Sequence, residues 1–265
     1  MTRDDQPFDG RIALVTGAGS GIGRASAELL AAQGAAVAVV GHDLDNARET
    51  VDAISARGGE AVAFEAELAE PDSVASLFEQ VRRHWDRLDV VVANAGINGV
   101  WAPLEELSVE DWNHTLSVNL TGTFLTVKHS LPLLRAAGGG AVVVTSSVNG
   151  TRMFSNAGAS AYATSKAGQV AFAKMLAVEL GPEKIRVNVI CPGSIDTEIE
   201  QNTERRGEQI GPPAEYPEGQ IPLTGANPGS SEQVADLVAF LASDAASHIT
   251  GTEVWIDRGQ SLLAG

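Results

Sequence analysis

The 265-residue sequence predicts one α/β domain, doubly wound, with a seven-stranded parallel sheet flanked by helices. Three observations predict it. The length suits one large domain with a substantial core and is short for two. Val/Ile-rich runs of strand length alternate with longer segments of helical period, the order that builds parallel sheets through right-handed crossovers. The strand candidates lack strict polar alternation, as strands buried on both faces do.

In chain order, the strands are Ile12–Thr16, Ala36–Val40, Ala61–Phe64, Leu88–Ala93, Ala141–Ser146, Arg186–Cys191 and Glu253–Ile256. Helical patterns lie between them at Ile22–Gln33, Leu44–Ala56, Asp72–Trp85, Val109–Ala136, Ala161–Leu180 and Ser231–Ser243. Pro71 suits a first-turn helix position, and Ser108 with Asp111 three residues on resembles an N-terminal capping pair. Residues 1–10 read as a polar, acidic tail without the apolar centre of a signal peptide. The one compositional break is Gly193–Pro228, holding Pro212, Pro213, Pro217, Pro222 and Pro228. A stretch this long without periodicity, followed by further helix and strand, reads as a loop insertion within the single domain.

Composition excludes several function classes. Eighteen basic residues against 34 acidic ones give a net charge of −16, which repels nucleic-acid backbones and anionic membranes. Cys191 is the one cysteine, so there is no intrachain disulfide and no metal-binding Cys pair; no metal site is predicted. Apolar stretches are about strand length and broken by glycine or charge, so none spans a bilayer. The reading is a soluble, cytoplasmic protein.

Chemistry concentrates at two places. Thr16-Gly17-Ala18-Gly19-Ser20-Gly21-Ile22-Gly23 joins the first strand to the first helix. Glycines there permit a sharp turn, bring backbone N–H groups up to a pyrophosphate at the helix N-terminus, and let helix and strand pack closely. Further on, Tyr162 and Lys166 stand at i and i+4 in a strong helical pattern and so share a face. A free phenol titrates near ~10, and bringing it to neutrality takes a shift of ~3 units, roughly 4 kcal/mol. A neighbouring ammonium and a cationic ring in a partly desolvated cleft can supply that. Alone, the pair equally fits an ordinary surface helix. Ser147 closes a buried strand at the carboxyl edge of the sheet, where open α/β folds bind ligands. Asn119 alone reads as a buried amide or a helix kink.

The spacing Thr-Gly-x-x-x-Gly-x-Gly, with Tyr-x-x-x-Lys, resembles the classical short-chain dehydrogenases/reductases, and the likeness covers nearly the whole chain. It implies a Rossmann fold, a nicotinamide dinucleotide and hydride transfer to or from a secondary alcohol or carbonyl. The catalytic set carried over is Asn119, Ser147, Tyr162 and Lys166, with Asn119 holding a water linked to the lysine in a proton relay. Cofactor contacts carried over start with Gly17, Gly19, Ser20, Gly21, Ile22 and Gly23 in the first turn. They continue through Asn94, Ala95 and Gly96 after the fourth strand and through Glu67 with Leu68 beside the adenine. Pro192, Gly193, Ile195 and Thr197 follow the sixth strand, and Tyr162 and Lys166 complete the set. Cys191 then reads as a buried small hydrophobe.

Several positions depart from the pattern. Serine to tyrosine spans 15 residues, about two more than expected, so Thr151–Ser160 carries an insertion lining the cleft, with Ser146, Ser155 and Ser160 as rival serines. Glu67 replaces the usual Asp, Ala93 an Asn, and Arg258 a usual glycine. At the tip of the second strand the position of the acidic residue that would bind a ribose 2′-hydroxyl holds Gly41. His42 follows, a weak phosphate clamp, and Asp43 could restore NAD binding. The balance leans to NADP(H). Asn98, Trp101, Val148, Asn149, Phe154, Gly193 and Ser194 form the expected substrate wall, with Asn98, Asn149 and Phe154 as contacts. Mixed amides and aromatics suit a polar or sugar-like alcohol, as in the glucose-dehydrogenase-like branch. A 3-oxoacyl-carrier-protein reductase is the enzymatic alternative, using Arg152, Arg205 and Arg206 to meet an acidic carrier. A catalytically silent NAD(P)-binding regulator is the alternative of another class. Ala-rich outer faces on the two long helices predict a homotetramer.

Overall fold

The computed structural model describes residues 6–199, 203–207, 221–225 and 227–264. Seven parallel strands form the main sheet: β1 (Ile12–Thr16), β2 (Ala36–Gly41), β3 (Glu60–Glu65), β4 (Val90–Ala93), β6 (Gly140–Thr145), β7 (Ile185–Pro192) and β9 (Glu253–Ile256). Their order is β3-β2-β1-β4-β6-β7-β9, so the winding reverses between β1 and β4. That reversal opens a crevice at the carboxyl ends of the two strands, where doubly wound folds bind ligands.

The missing polar alternation has a direct cause. Along β4, Val90 and Val92 face one apolar cluster while Val91 and Ala93 face the other. One cluster includes Ala27 and Leu30 of α1 (Gly21–Ala32), Ala47 and Ile54 of α2 (Leu44–Ala56), and Val234 and Val238 of α7 (Ser231–Ala242). The opposite cluster includes Leu77 and Phe78 of α3 (Pro71–His84), Leu134 of α5 (Gly122–Ala136) and Ala173 of α6 (Ser160–Leu180). The predicted caps form: Pro71 opens α3, and the Ser108 hydroxyl accepts from the Asp111 N–H at the start of α4 (Val109–Leu116).

Four features depart from the sequence reading. The expected helix Val109–Ala136 is interrupted by a π-helical turn, Ser117–Thr121, between α4 and α5. A wide turn of this kind re-aims one side chain without ending the helix, and here the residue is Asn119. Second, β5 (Gly99–Trp101) pairs in parallel with β8 (Thr203–Arg205), strands too short to leave a period in sequence. Third, a short helix α8 (Gln260–Ala264) follows β9. Fourth, residues 6–10 are no loose tail: Phe8 is fully buried and its N–H donates to the Gln33 carbonyl. Of the expected 193–228 insertion, residues 200–202, 208–220 and 226 lie outside the described residues, among them Pro212, Pro213 and Pro217. Met1 to Asp5 and Gly265 also lie outside them.

Candidate active site

The turn after β1 is shaped by close approach. A Cβ on Gly23 would stand 2.1 Å from the Gly17 carbonyl oxygen, and Gly17 itself adopts φ +64°. Only glycine fits the first position, and the second strongly favours it. Ser20 occupies the N-cap of α1 without a side-chain capping bond, which leaves the helix N-terminus to an outside acceptor. Asn94 ties β4 to this turn: its N–H donates to the Thr16 Oγ1 at 3.0 Å and its Nδ2 to the Thr16 carbonyl at 3.1 Å. Thr197 lies across the turn, its Cγ2 3.3 Å from where a Gly21 Cβ would be. A bare glycine cradle, an uncapped helix end and a threonine facing them fit a dinucleotide pyrophosphate. Leu68 is buried against Gly122, and Glu67 is exposed and caps its own turn through the Ala69 N–H.

At the tip of β2, Gly41 is buried and His42 exposed. The Asp43 carboxylate is occupied by the fold, capping α2 as it accepts from the Asp45 and Asn46 N–H groups. Gly193 likewise answers to packing, since a Cβ there would stand 2.6 Å from the Asp257 Cβ. Its neighbour Ser194 donates its N–H to Gln260 Oε1, and Ile195 bridges to Gly229.

Beyond β6 the structure brings Ser147, Tyr162 and Lys166 together. Ser147 is hydrogen-bonded to the Tyr162 side chain, and Lys166 Nζ stands 5.6 Å from the Tyr162 ring centre while donating to the Thr145 carbonyl at 2.9 Å. All three are nearly closed to solvent. Burial pushes the Tyr162 phenol up, against the smaller downward pull of the Ser147 bond. Burial also lowers the Lys166 ammonium to about 8. Desolvation thus dominates at Tyr162, against the easing that the sequence reading assigns to the lysine together with a bound cationic ring. Cys191 is buried and its thiol is pushed up to about 11, chiefly by burial, which makes it a poor nucleophile.

Of the rival serines, Ser146 is committed elsewhere, its hydroxyl donating to the Lys166 carbonyl. Ser160 Oγ is buried without a partner. Asn119 is fully buried and pairs with Ile97 at two points, Oδ1 accepting from its N–H at 2.8 Å and Nδ2 donating to its carbonyl at 2.9 Å. Gly96 lies between Asn119 and Lys166: a Cβ there would stand 3.2 Å from Asn119 Oδ1 and 3.3 Å from Lys166 Nζ.

The predicted substrate wall divides. Trp101 packs beside Tyr162 with ring centres 6.5 Å apart, Asn98 Nδ2 donates to Thr203 Oγ1, and Asn149 Oδ1 accepts from Asn156. Val148 is buried, its N–H donating to the Pro192 carbonyl. Phe154 stands apart at 74% exposure. Sequence reasoning missed Thr16 as a strand tie, Gln169 as a buried amide and Thr203 as the partner of Asn98. For Gln169 the signal was a polar residue seven places after Tyr162, on the same helical face.

This arrangement has many counterparts. A family described as Enoyl-(Acyl carrier protein) reductase matches residues 17–261. Cyclohexanol dehydrogenase of Acinetobacter sp. (strain SE19) is 38% identical over 94% of both chains. Cis-4-hydroxycyclohexanecarboxylate dehydrogenase of Sinomonas cyclohexanicum is 39% identical over 97% of this chain and 99% of its own. Among solved structures, a 3-ketoacyl-ACP reductase from Sinorhizobium meliloti 1021 superposes with a TM-score of 0.91 at 48% identity, covering 95% of this chain and 99% of that one. Sequence and fold thus agree over more than nine-tenths of the chain, and the chain belongs to the classical short-chain dehydrogenase/reductase family, oxidoreductases that use a nicotinamide dinucleotide to act on CH–OH groups.

Proposed function

We propose that this enzyme interconverts a small, polar, ring-bearing secondary alcohol and its ketone, with NADP(H) as the preferred coenzyme. The observation that carries the reading is the grouping of Ser147, Tyr162 and Lys166, with the Asn94–Gly96 segment running from the glycine turn to Lys166. The dinucleotide, when bound, supplies or accepts the hydride. Tyr162 gives or takes the proton of the substrate oxygen, and Ser147 orients and polarises that oxygen. Lys166, charged below about pH 8, stabilises the phenolate form across a water-poor gap. Asn119, beside Lys166 across Gly96, completes the path by which that proton is replaced.

The coenzyme preference rests on β2, where Gly41 offers no carboxylate and Asp43 is engaged in capping α2. The substrate class rests on the Asn98, Trp101 and Asn149 wall, and two relatives named for ring alcohols support it. The 48% identity to a 3-ketoacyl-ACP reductase favours a second reading, reduction of a carrier-bound 3-oxoacyl group. Against it, Arg206 is neutralised by Asp111 and Glu204, while Arg152 and Arg205 lie over the rings of Trp255 and Trp101. The assembly in this reading is a homotetramer and the compartment the cytoplasm.

A panel of cyclohexanol, glucose, cis-4-hydroxycyclohexanecarboxylate and a 3-oxoacyl thioester, each with both coenzymes, tests the proposal. A ring alcohol turns over fastest with NADP⁺, and Tyr162→Phe lowers kcat by roughly 10²–10⁴-fold while coenzyme affinity stays within about twofold. Full turnover in Tyr162→Phe rejects the mechanism; coenzyme binding without turnover of any compound favours the silent regulator.

A further inference from the structure

We propose that Thr151 is a positioning residue for Ser147 and is itself tethered by the Trp255 indole; the inference rests on the reading of Ser147 as the group that orients the substrate oxygen. β6 ends at Thr145, so Ser147 stands two residues beyond the last strand position. Backbone bonds to β7 hold its neighbours: the Ser146 N–H donates to the Ile190 carbonyl at 2.8 Å and the Val148 N–H to the Pro192 carbonyl at 3.0 Å. The Ser147 carbonyl is taken by a side chain instead. Thr151 Oγ1 donates to it at 2.7 Å, with the Val148 carbonyl a longer acceptor at 3.1 Å.

A threonine hydroxyl has one proton and two acceptor lone pairs. With its proton drawn to Ser147, Thr151 Oγ1 accepts from Trp255 Nε1 at 3.3 Å. Trp255 lies on β9, two strands from β6 in the sheet order, and is the register partner of Cys191 on β7. The Cys191 thiol is hydrogen-bonded to Thr151 as well. Arg152, the next residue in the chain, lies over the Trp255 ring at 3.5 Å, a cation–π contact that fixes the indole. Ser147 is thus fastened across β6, β7 and β9. The need for such a tether follows from the 15-residue span between Ser147 and Tyr162, whose residues 148–159 form turns, bends and the Asn149–Met153 bridge. Ser147 Oγ accepts from the Asn149 N–H at 3.1 Å and is hydrogen-bonded to the Tyr162 side chain, so a shift of the backbone at Ser147 moves its hydroxyl against the phenol. Rate depends steeply on that placement.

The test pairs Thr151→Val, which keeps the shape and loses the hydroxyl, with Thr151→Ser, which keeps the hydroxyl. With cyclohexanol as the probe alcohol, Thr151→Val lowers kcat about tenfold while coenzyme Kd by calorimetry stays within about twofold, and Thr151→Ser keeps kcat within about twofold of wild type. A wild-type kcat in Thr151→Val, or an equal loss in both variants, overturns the proposal. Trp255→Phe keeps a ring beneath Arg152 and removes the N–H donor. It lowers kcat about threefold alone and adds nothing to Thr151→Val in the double variant, because both act through one hydroxyl; losses that multiply reject the tether. In coenzyme-free protein, hydrogen exchange at the Asn149 N–H quickens at least about tenfold in Thr151→Val, beyond any change in global stability. Wild-type exchange in the folded variant is equally fatal. If Thr151→Val does not fold, the same exchange in Trp255→Phe decides, and an unchanged rate there rejects the proposal. Ser147→Ala separates the two levels. Its full activity would sink the reading of Ser147, whereas Asn149 exchange judges Thr151 with no turnover at all.

Discussion

At the residue scale, burial moves Tyr162 and Lys166 in opposite directions, and both moves disfavour charge. Lys166 titrates near 8 in the folded chain against an ordinary value of 10.5. Between those values the unfolded chain binds a proton that the folded one lacks, so stability rises with pH there, by up to ~1.4 kcal/mol per unit. Tyr162, raised by burial, has the opposite effect only near and above pH 10, where the unfolded phenol ionises first. Urea denaturation of coenzyme-free protein from pH 8 to 9.5 should therefore show a steeper rise for wild type than for Lys166→Met. Equal slopes would mean that the ammonium is not desolvated. The pair itself was legible in sequence because i and i+4 share a helix face wherever the helix lies. Its environment was not, since the burial of the pair and its bonds to Thr145 and Ser147 come from the end of β6 and the residues just after it, distant in sequence.

At the scale of elements, the first turn makes the sharpest claim. Gly23→Ala puts a methyl 2.1 Å from the Gly17 oxygen and 2.7 Å from Asn94 Nδ2. We expect about 1–3 kcal/mol of destabilisation in chemical denaturation and at least tenfold weaker dinucleotide binding by calorimetry. Gly181→Ala, with open space around it, serves as the near-neutral control. Arg258 explains its own departure from glycine. It holds a left-handed φ of 53° while its guanidinium donates to Thr224 Oγ1, the Pro228 carbonyl and Gln233 Oε1. The strained backbone is thus held by bonds to the segment before α7 and to its first turn. The π-helical turn was foreshadowed only as a kink, because the pairing of its Asn119 with Ile97 is a contact 22 residues away.

For the whole molecule, the strand order creates the crevice and the two apolar clusters hold the sheet between helix layers. Among the described residues, α5 and α6 leave apolar side chains exposed. Met175 and Val178 on α6 are 71% and 78% exposed, and Phe124 on α5 is partly so. A face of this kind is the expected seat of subunit contact. If the proposed homotetramer forms, Val178→Glu should lower the mass measured by light scattering toward dimer or monomer, with the helical content unchanged. A wild-type monomer at micromolar concentration would remove the assembly from the proposed function.

The alternation of strand and helix, the glycine turn and the Tyr162–Lys166 face are written in the amino-acid order. Each is encoded within a few consecutive residues, by side-chain period or by the need for a missing Cβ. Folding in three dimensions is what makes Asp43 cap a helix, Thr203 bond Asn98 across 105 residues, and Gln169 donate to the Asn119 carbonyl. Those outcomes depend on which polar groups meet once water has been excluded, and no local pattern records that.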